Sequence, residues 1–183
     1  MIGRPCSLIV LAAIACLAPA AAFESGPAGG TTVAELKVYD VTGPHAGAEV
    51  DYAADRKTKP TIYVFVLAEK WDRPVARFLR QLDNEVQKRA DLRVVAIWLT
   101  DEPETTKGYL PLAQQSLQLK ATTLTCYPLA KKAPERWDIN LEAGVTAVVA
   151  RDGKVVKSLA FRSATESNVK DVAQALQKLG DGK

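Results

Sequence analysis

Two long apolar runs dominate the middle of the chain. Thr61 to Ala68 and Leu92 to Leu99 are almost wholly apolar and rich in β-branched and aromatic residues, as strands covered on both faces of a sheet are. Between them, Pro74 to Arg89 carries an apolar stripe at helical spacing, made of Val75, Phe78, Leu79, Leu82 and Val86. The pattern predicts a strand, a helix and a second strand, joined as a right-handed crossover with parallel strands.

The segments that flank this unit predict the rest of the sheet. Val33 to Val41 and Ala48 to Ala53 alternate on either side of a Gly-Pro turn region, which predicts a short N-terminal hairpin. Val145 to Ala150 and Lys154 to Phe161 are joined through Asp152-Gly153, a strong hairpin turn. Thr122 to Tyr127 predicts a short strand, which we expect at an edge of the sheet.

Three further helical segments are expected. The first begins at Pro103 and Glu104 and runs to about Gln118, and Ala130 to Trp137 is weakly helical. The last begins near Ser163 to Glu166, which has a capping-box pattern, and ends at Gly180. Its predicted buried face consists of Val169, Val172, Ala173, Leu176 and Leu179.

The start of the chain has the pattern of an export signal. Arg4 precedes an apolar run, Ser7 to Leu17, which is too short to span a bilayer, and Ala20-Ala21-Ala22 forms a small-residue cleavage site. We therefore expect a mature chain that begins near Phe23 and a periplasmic or secreted protein. The alternatives are an uncleaved membrane anchor and a lipoprotein attached through Cys16, although the residues before Cys16 match the lipoprotein pattern poorly.

The chain is accordingly divided into four parts. Residues 1–22 are the predicted signal peptide, and residues 23–32, rich in Gly, Ser and Pro, are a predicted flexible lead-in. Residues 33–180 are long enough for one domain with a core of its own, and 181–183 form a tail. Cys6 and Cys16 lie in the signal peptide, so the mature chain keeps only Cys126 and has no internal disulfide.

Charge and composition disfavour several classes of function. The 183 residues have a formal net charge of +3, and acids and bases are interspersed without a basic block or an aromatic ladder, so nucleic acid is not expected as a partner. The single histidine, His45, lies in a Gly-Pro-His-Ala-Gly turn far from Cys126, and this pair makes no metal site and no catalytic triad. We expect no cofactor.

The order of elements, with three local matches, resembles the thioredoxin-like fold of peroxiredoxins and periplasmic thiol-disulfide oxidoreductases. The matches are Lys59-Pro60 before the first apolar strand, Trp137-Asp138-Ile139, and the segment Gly144 to Val156, which contains the Asp-Gly turn. The resemblance covers about Leu36 to Leu179. It implies a three-layer α/β/α sandwich with a mixed central sheet and an N-terminal β-hairpin.

The resemblance also shows where this sequence departs from the family's redox site. The family places a reactive cysteine at the start of the helix, and the matching positions here are Trp71, Asp72, Arg73 and Pro74. The family's cis-proline aligns with Thr146, and because a non-proline cis bond costs about 3 kcal/mol we expect a trans bond there. No residue matches the functional cysteines, so oxidoreductase activity does not carry over.

Two hypotheses of function follow. In the first, the protein is a binding or scaffolding module of a bacterial cell envelope, and its partner is another envelope protein or a peptide. The binding face is formed by Trp71, Asp72, Arg73 and Thr146, since an exposed tryptophan beside an arginine is typical of binding interfaces. The alternative explanation is that Trp71 packs over the vacant cysteine position while Asp72 caps the helix. In the second hypothesis, a thiol-redox protein works through Cys126 and a partner's cysteine. A half-buried structural role for Cys126 is the competing interpretation.

Overall fold

In the part of the chain that the structure describes, seven strands form one mixed sheet. The strands are β1 (Lys37–Asp40), β2 (Glu49–Asp51), β3 (Thr61–Leu67), β4 (Arg93–Thr100), β5 (Thr122–Pro128), β6 (Val145–Arg151) and β7 (Lys154–Phe161), in the order β2-β1-β5-β4-β3-β6-β7. The computed structural model describes residues 23–177. The predicted signal peptide, the tail and the predicted helix end at Gly180 therefore lie outside the described residues.

Within residues 23–177, four helices pack on this sheet, and they are distributed unevenly between its faces. They are α1 (Tyr52–Arg56), α2 (Arg73–Val86), α3 (Pro103–Leu117) and α4 (Val169–Gln177). The apolar stripes of α2, α3 and α4 share one hydrophobic core with one face of the sheet. The other face is covered by α1, the loop around Trp137 and the segment around Leu36. The predicted α/β fold with its mixed sheet is confirmed, with a thinner second outer layer.

The strand–helix–strand unit at the centre matches the sequence prediction. β3 pairs with β4 in parallel, from Thr61 opposite Arg93 to Leu67 opposite Leu99, and β4 pairs in parallel with β5. Every residue of β3 is buried, which explains its unbroken apolar sequence. The Asp152-Gly153 turn joins the antiparallel pair β6 and β7, with both turn residues at positive φ, as a tight hairpin requires.

Three local predictions are wrong. The strand of Cys126 is not at an edge, because β5 lies between β4 and β1. Ala130 to Trp137 is not helical beyond a single 3₁₀ turn, Leu129–Lys131, and Pro134 has no N–H to continue it. The last helix is capped by Thr165 and Asn168 rather than by Ser163 and Glu166.

The N-terminal hairpin is present, but its strands are shorter than predicted. β1 and β2 pair in an antiparallel register from Lys37 opposite Asp51 to Tyr39 opposite Glu49. The predicted second strand ends at Asp51, because the carboxylate of Asp51 accepts hydrogen bonds from the backbone N–H groups of Ala53 and Ala54 and so caps α1.

The segment 23–32, predicted to be a flexible lead-in, is instead bonded along β7. The N–H of Gly30 donates to the carbonyl of Val155 at 2.7 Å, and the N–H of Val155 donates to the carbonyl of Thr31 at 2.8 Å. The Ser158 hydroxyl donates to the carbonyl of Pro27 at 2.6 Å. The lead-in therefore covers the outer strand of the sheet and leaves less of its backbone open to other chains.

Candidate functional site

The start of α2 is the position at which the sequence predicts a binding site. A 3₁₀ turn, Ala68–Lys70, carries the chain from the end of β3 to Trp71. The carboxylate of Asp72 accepts a hydrogen bond from the backbone N–H of Val75 at 2.9 Å, and Pro74 lies in the first turn. Asp72 is therefore a helix cap, as predicted, and its Oδ1 is already engaged by the chain's own backbone.

Trp71 is half-buried and held by two aromatic neighbours. Its ring meets the buried ring of Trp98 edge to face, with centroids 4.9 Å apart, and its indole N–H donates to the hydroxyl of Tyr109 at 2.8 Å. The indole is thus fixed in orientation while part of it faces solvent. A rigid, partly exposed aromatic side chain binds a partner with little loss of conformational entropy.

A surface depression of about 420 Å³ opens beside Trp71 between α2 and α3. We call it the α2–α3 groove; its lining consists of Trp71, Asp72, Arg73, Ala76, Tyr109, Leu112, Ala113, Ser116 and Leu117. Tyr109 is 42% exposed and Leu112 is 62% exposed. The groove therefore combines aromatic and aliphatic side chains with one arginine, a composition typical of protein-binding surfaces.

The structure does not place Thr146 with Trp71. Thr146 is 1% exposed, and its hydroxyl lies 2.6 Å from the hydroxyl of Ser25 in the lead-in. Because side chains alternate along β6, Thr146 faces the same side of the sheet as Val148, whereas Trp71 packs against the core on the opposite side. The predicted face is thus divided: Trp71, Asp72 and Arg73 stay together, and Thr146 is covered. The peptide bond before Thr146 is trans, as expected.

Cys126 is fully buried, which exceeds the half-buried state expected. Its Sγ lies 3.9 Å from the carbonyl oxygen of Pro103, in the first turn of α3. It faces a carbonyl there rather than the N–H groups that stabilise a thiolate. Burial raises the pKa of the thiol, and the negative charge of Glu104 raises it further, while Lys107 opposes them.

A second cavity, of about 350 Å³, lies at the carboxyl ends of the parallel strands. Glu69, Thr100 and Asp101 line it, at the place where ligands of open α/β sheets gather. The Thr100 hydroxyl accepts hydrogen bonds from the Thr106 hydroxyl at 2.9 Å and from the Glu102 N–H at 3.0 Å. These two hydrogen bonds join the end of β4 to the start of α3, and they fix the conformation of the loop between them.

Neither a metal site nor a membrane-spanning helix is found between residues 23 and 177. In that range no group of three or more His, Cys, Asp or Glu side chains could hold a metal ion. No helix in the same range is long and apolar enough to cross a membrane.

Tyr109 and Leu112 are the site residues that the sequence analysis missed. Leu110, Ala113 and Leu117 form the inward stripe of α3, and the same helical spacing puts Tyr109 and Leu112 outside that stripe. Two large apolar side chains left outside a buried stripe were the available signal. Their contact with Trp71 depends on how α3 packs beside α2, which local spacing does not give.

No family model matches the chain, and no curated protein matches its sequence. Solved structures do resemble it, and they identify a thioredoxin-like fold. An uncharacterized conserved protein from Geobacillus kaustophilus superposes with a TM-score of 0.66 at 15% identity, over 85% of this chain and 84% of its own.

The similar structures include proteins that are named for redox functions. A secreted disulfide oxidoreductase of Mycobacterium tuberculosis, homologous to E. coli DsbE, has a TM-score of 0.55 at 15% identity, over 79% of this chain and 96% of its own. A peroxiredoxin-like protein from Aquifex aeolicus has a TM-score of 0.55 at 11% identity, over 80% of this chain and 86% of its own. At these identities the likeness establishes the thioredoxin-like fold.

Proposed function

We propose that this protein is an exported thioredoxin-fold module that binds another envelope protein or a peptide and does not catalyse thiol–disulfide exchange. The helix start that would hold a reactive cysteine carries Trp71 and the capping Asp72. The thiol at Cys126 is buried beneath α3. The export pattern in residues 1–22 and the similarity to a secreted oxidoreductase support a place in the cell envelope.

The exposure of apolar side chains beside Trp71 carries this proposal. Three large hydrophobic side chains are strongly exposed in the described part of the chain: Tyr109, Leu112 and Leu141. Two of the three line the α2–α3 groove, next to an oriented indole. Apolar side chains that cluster on a surface mark a contact with another molecule, whereas scattered ones need no explanation.

Site-specific photo-crosslinking tests the proposal. A photoreactive amino acid replaces Leu112 in the groove, and in a matched variant it replaces Leu141, which is exposed at 44% but does not line the groove. In cells of the source organism we expect position 112 to crosslink to a defined partner that position 141 does not reach. Identical crosslinks from both positions, or none from position 112, would contradict the proposal.

The thiol-redox hypothesis makes a different prediction. It requires Cys126 to meet a partner's cysteine, yet this thiol is inaccessible and its pKa is raised by burial, which lowers the fraction of reactive thiolate. We expect a Cys126→Ala variant to crosslink through position 112 as efficiently as the parent. Loss of function in a folded Cys126→Ala protein would favour the redox hypothesis instead.

A further inference from the structure

The side of the α2–α3 groove formed by α2 is basic. Arg73 and Ala76 line the groove. Helical spacing places Arg80 on the same side of α2, four residues after Ala76, and Arg77 one turn beyond Arg73, so both extend the basic rim just outside the lining. All three arginines are exposed. They make no ion pair with any residue in the range 23–177.

The groove contains little negative charge to balance these arginines. The groove residues contributed by α3 are Tyr109, Leu112, Ala113, Ser116 and Leu117, and none of them is charged. The one acid in the lining, Asp72, holds the backbone N–H of Val75. The charged residues in the first turns of α3 pair with each other, since Lys107 contacts Glu104 at 2.7 Å. The groove thus has an apolar floor and a basic side on which three arginines outnumber the single carboxylate of Asp72.

From this arrangement we infer that the groove binds an acidic segment of a partner protein, with one or two large apolar side chains against Trp71 and Leu112 and carboxylates beside Arg73, Arg77 and Arg80. This inference rests on the proposed binding function and specifies its partner. Guanidinium groups bind carboxylates with paired hydrogen bonds, and opposite charges at the rim of an apolar site raise association rates and exclude basic competitors.

Three synthetic peptides test the inference. They share the same two leucines, one helical turn apart, and differ only in whether the flanking positions carry glutamate, lysine or glutamine. Binding to the purified protein is followed by fluorescence anisotropy of the labelled peptides. We expect the glutamate peptide to bind about tenfold more tightly than the glutamine peptide, on the basis of three exposed ion pairs, and the lysine peptide to bind more weakly than both. Added salt should reduce the difference.

Two charge-matched variants locate the effect. Arg77→Glu combined with Arg80→Glu should abolish the preference for the glutamate peptide. Lys157→Glu combined with Lys170→Glu makes the same change in net charge at exposed positions of β7 and α4, elements that do not contribute to the groove, and should preserve the preference. Equal effects of the two pairs would overturn the inference, because the preference would then reflect net charge alone.

The remaining outcomes separate this inference from the proposed function. If all three peptides bind equally and Leu112→Asp abolishes binding, the acidic partner is wrong while the binding function stands. If no peptide binds, the inference is overturned, and the photo-crosslinking at position 112 decides the proposed function separately. Self-association of the protein that Leu112→Asp removes would overturn the inference in favour of a second copy of this chain.

Discussion

The accessibility of Cys126 decides between the two functions considered for this protein. Its side chain is fully buried in β5, between β4 and β1, beneath the first turn of α3. A thiol reagent reaches the sulfur only after this part of the sheet opens. Burial also raises the pKa of the thiol, so the reactive thiolate is scarcer in the folded protein than in the unfolded chain.

The expected protection of Cys126 from modification follows from the free energy needed to open this part of the sheet. Strands in the core of a sheet open with free energies that approach the global stability, which is about 5 kcal/mol or more for a domain. Since about 1.4 kcal/mol corresponds to a factor of ten, modification of Cys126 in the folded protein should be at least about 1,000-fold slower than in the unfolded chain.

The assay compares oxidation of Cys126 by hydrogen peroxide, mapped by mass spectrometry, in native buffer and in urea. A Gln115→Cys variant supplies an exposed reference thiol on the same fold, because Gln115 lies on the solvent side of α3. We expect the reference thiol to react readily while Cys126 does not. Oxidation of native Cys126 faster than in the unfolded chain would refute this reasoning and favour the redox hypothesis.

The remaining predictions concern stability. Asp83→Ala should lower the free energy of unfolding in urea by about 3 kcal/mol, because the buried carboxylate accepts hydrogen bonds from the Ala121 N–H at 2.8 Å and other donors. The control Asn84→Ala, at an exposed position of the same helix, should change it by less than about 0.5 kcal/mol, and equal effects would contradict a stabilising role for Asp83. Ser25→Ala should cost about 1–3 kcal/mol in the same assay, since it leaves a buried hydroxyl without its partner, and no loss would mean that the lead-in does not support the fold. Stability should fall as the pH rises above about 10, because burial raises the pKa of Tyr52 and the folded state therefore keeps a proton that the unfolded chain releases. Tyr52→Phe should make the free energy of unfolding depend less steeply on pH in this range.

Apolar periodicity predicts the centre of the fold well. β3, β4 and α2 follow from local sequence because each is buried along its full length or on one regular stripe. The position of β5 does not follow from local sequence. β1 pairs with β5 from more than 80 residues away in sequence, with Tyr39 opposite Cys126. The local sequence suggests an edge strand, but β5 therefore has a neighbouring strand on both sides. The hydrogen bonds of residues 23–32 along β7 do not follow from local sequence for the same reason, since the two segments are distant in sequence.

The candidate site is predicted only in part. Trp71, Asp72 and Arg73 follow from the strand–loop–helix pattern, and the structure places them together at the groove. Thr146 lies near the start of β6, and the alternation of side chains along that strand places it on the face of the sheet opposite Trp71. Leu112 enters the site through the packing of α3 beside α2, which requires the three-dimensional structure.

The affinity of the crosslinked partner for four variants tests the central claim most directly. The variants are Leu112→Asp in the groove, its matched control Leu141→Asp, Cys126→Ala, and the unchanged protein. We predict that Leu112→Asp lowers affinity at least about tenfold, a loss of about 1.4 kcal/mol, whereas Leu141→Asp and Cys126→Ala leave it unchanged. An affinity that survives Leu112→Asp but is lost with Cys126→Ala in a folded protein would contradict the claim that the groove, and not the thiol, holds the partner.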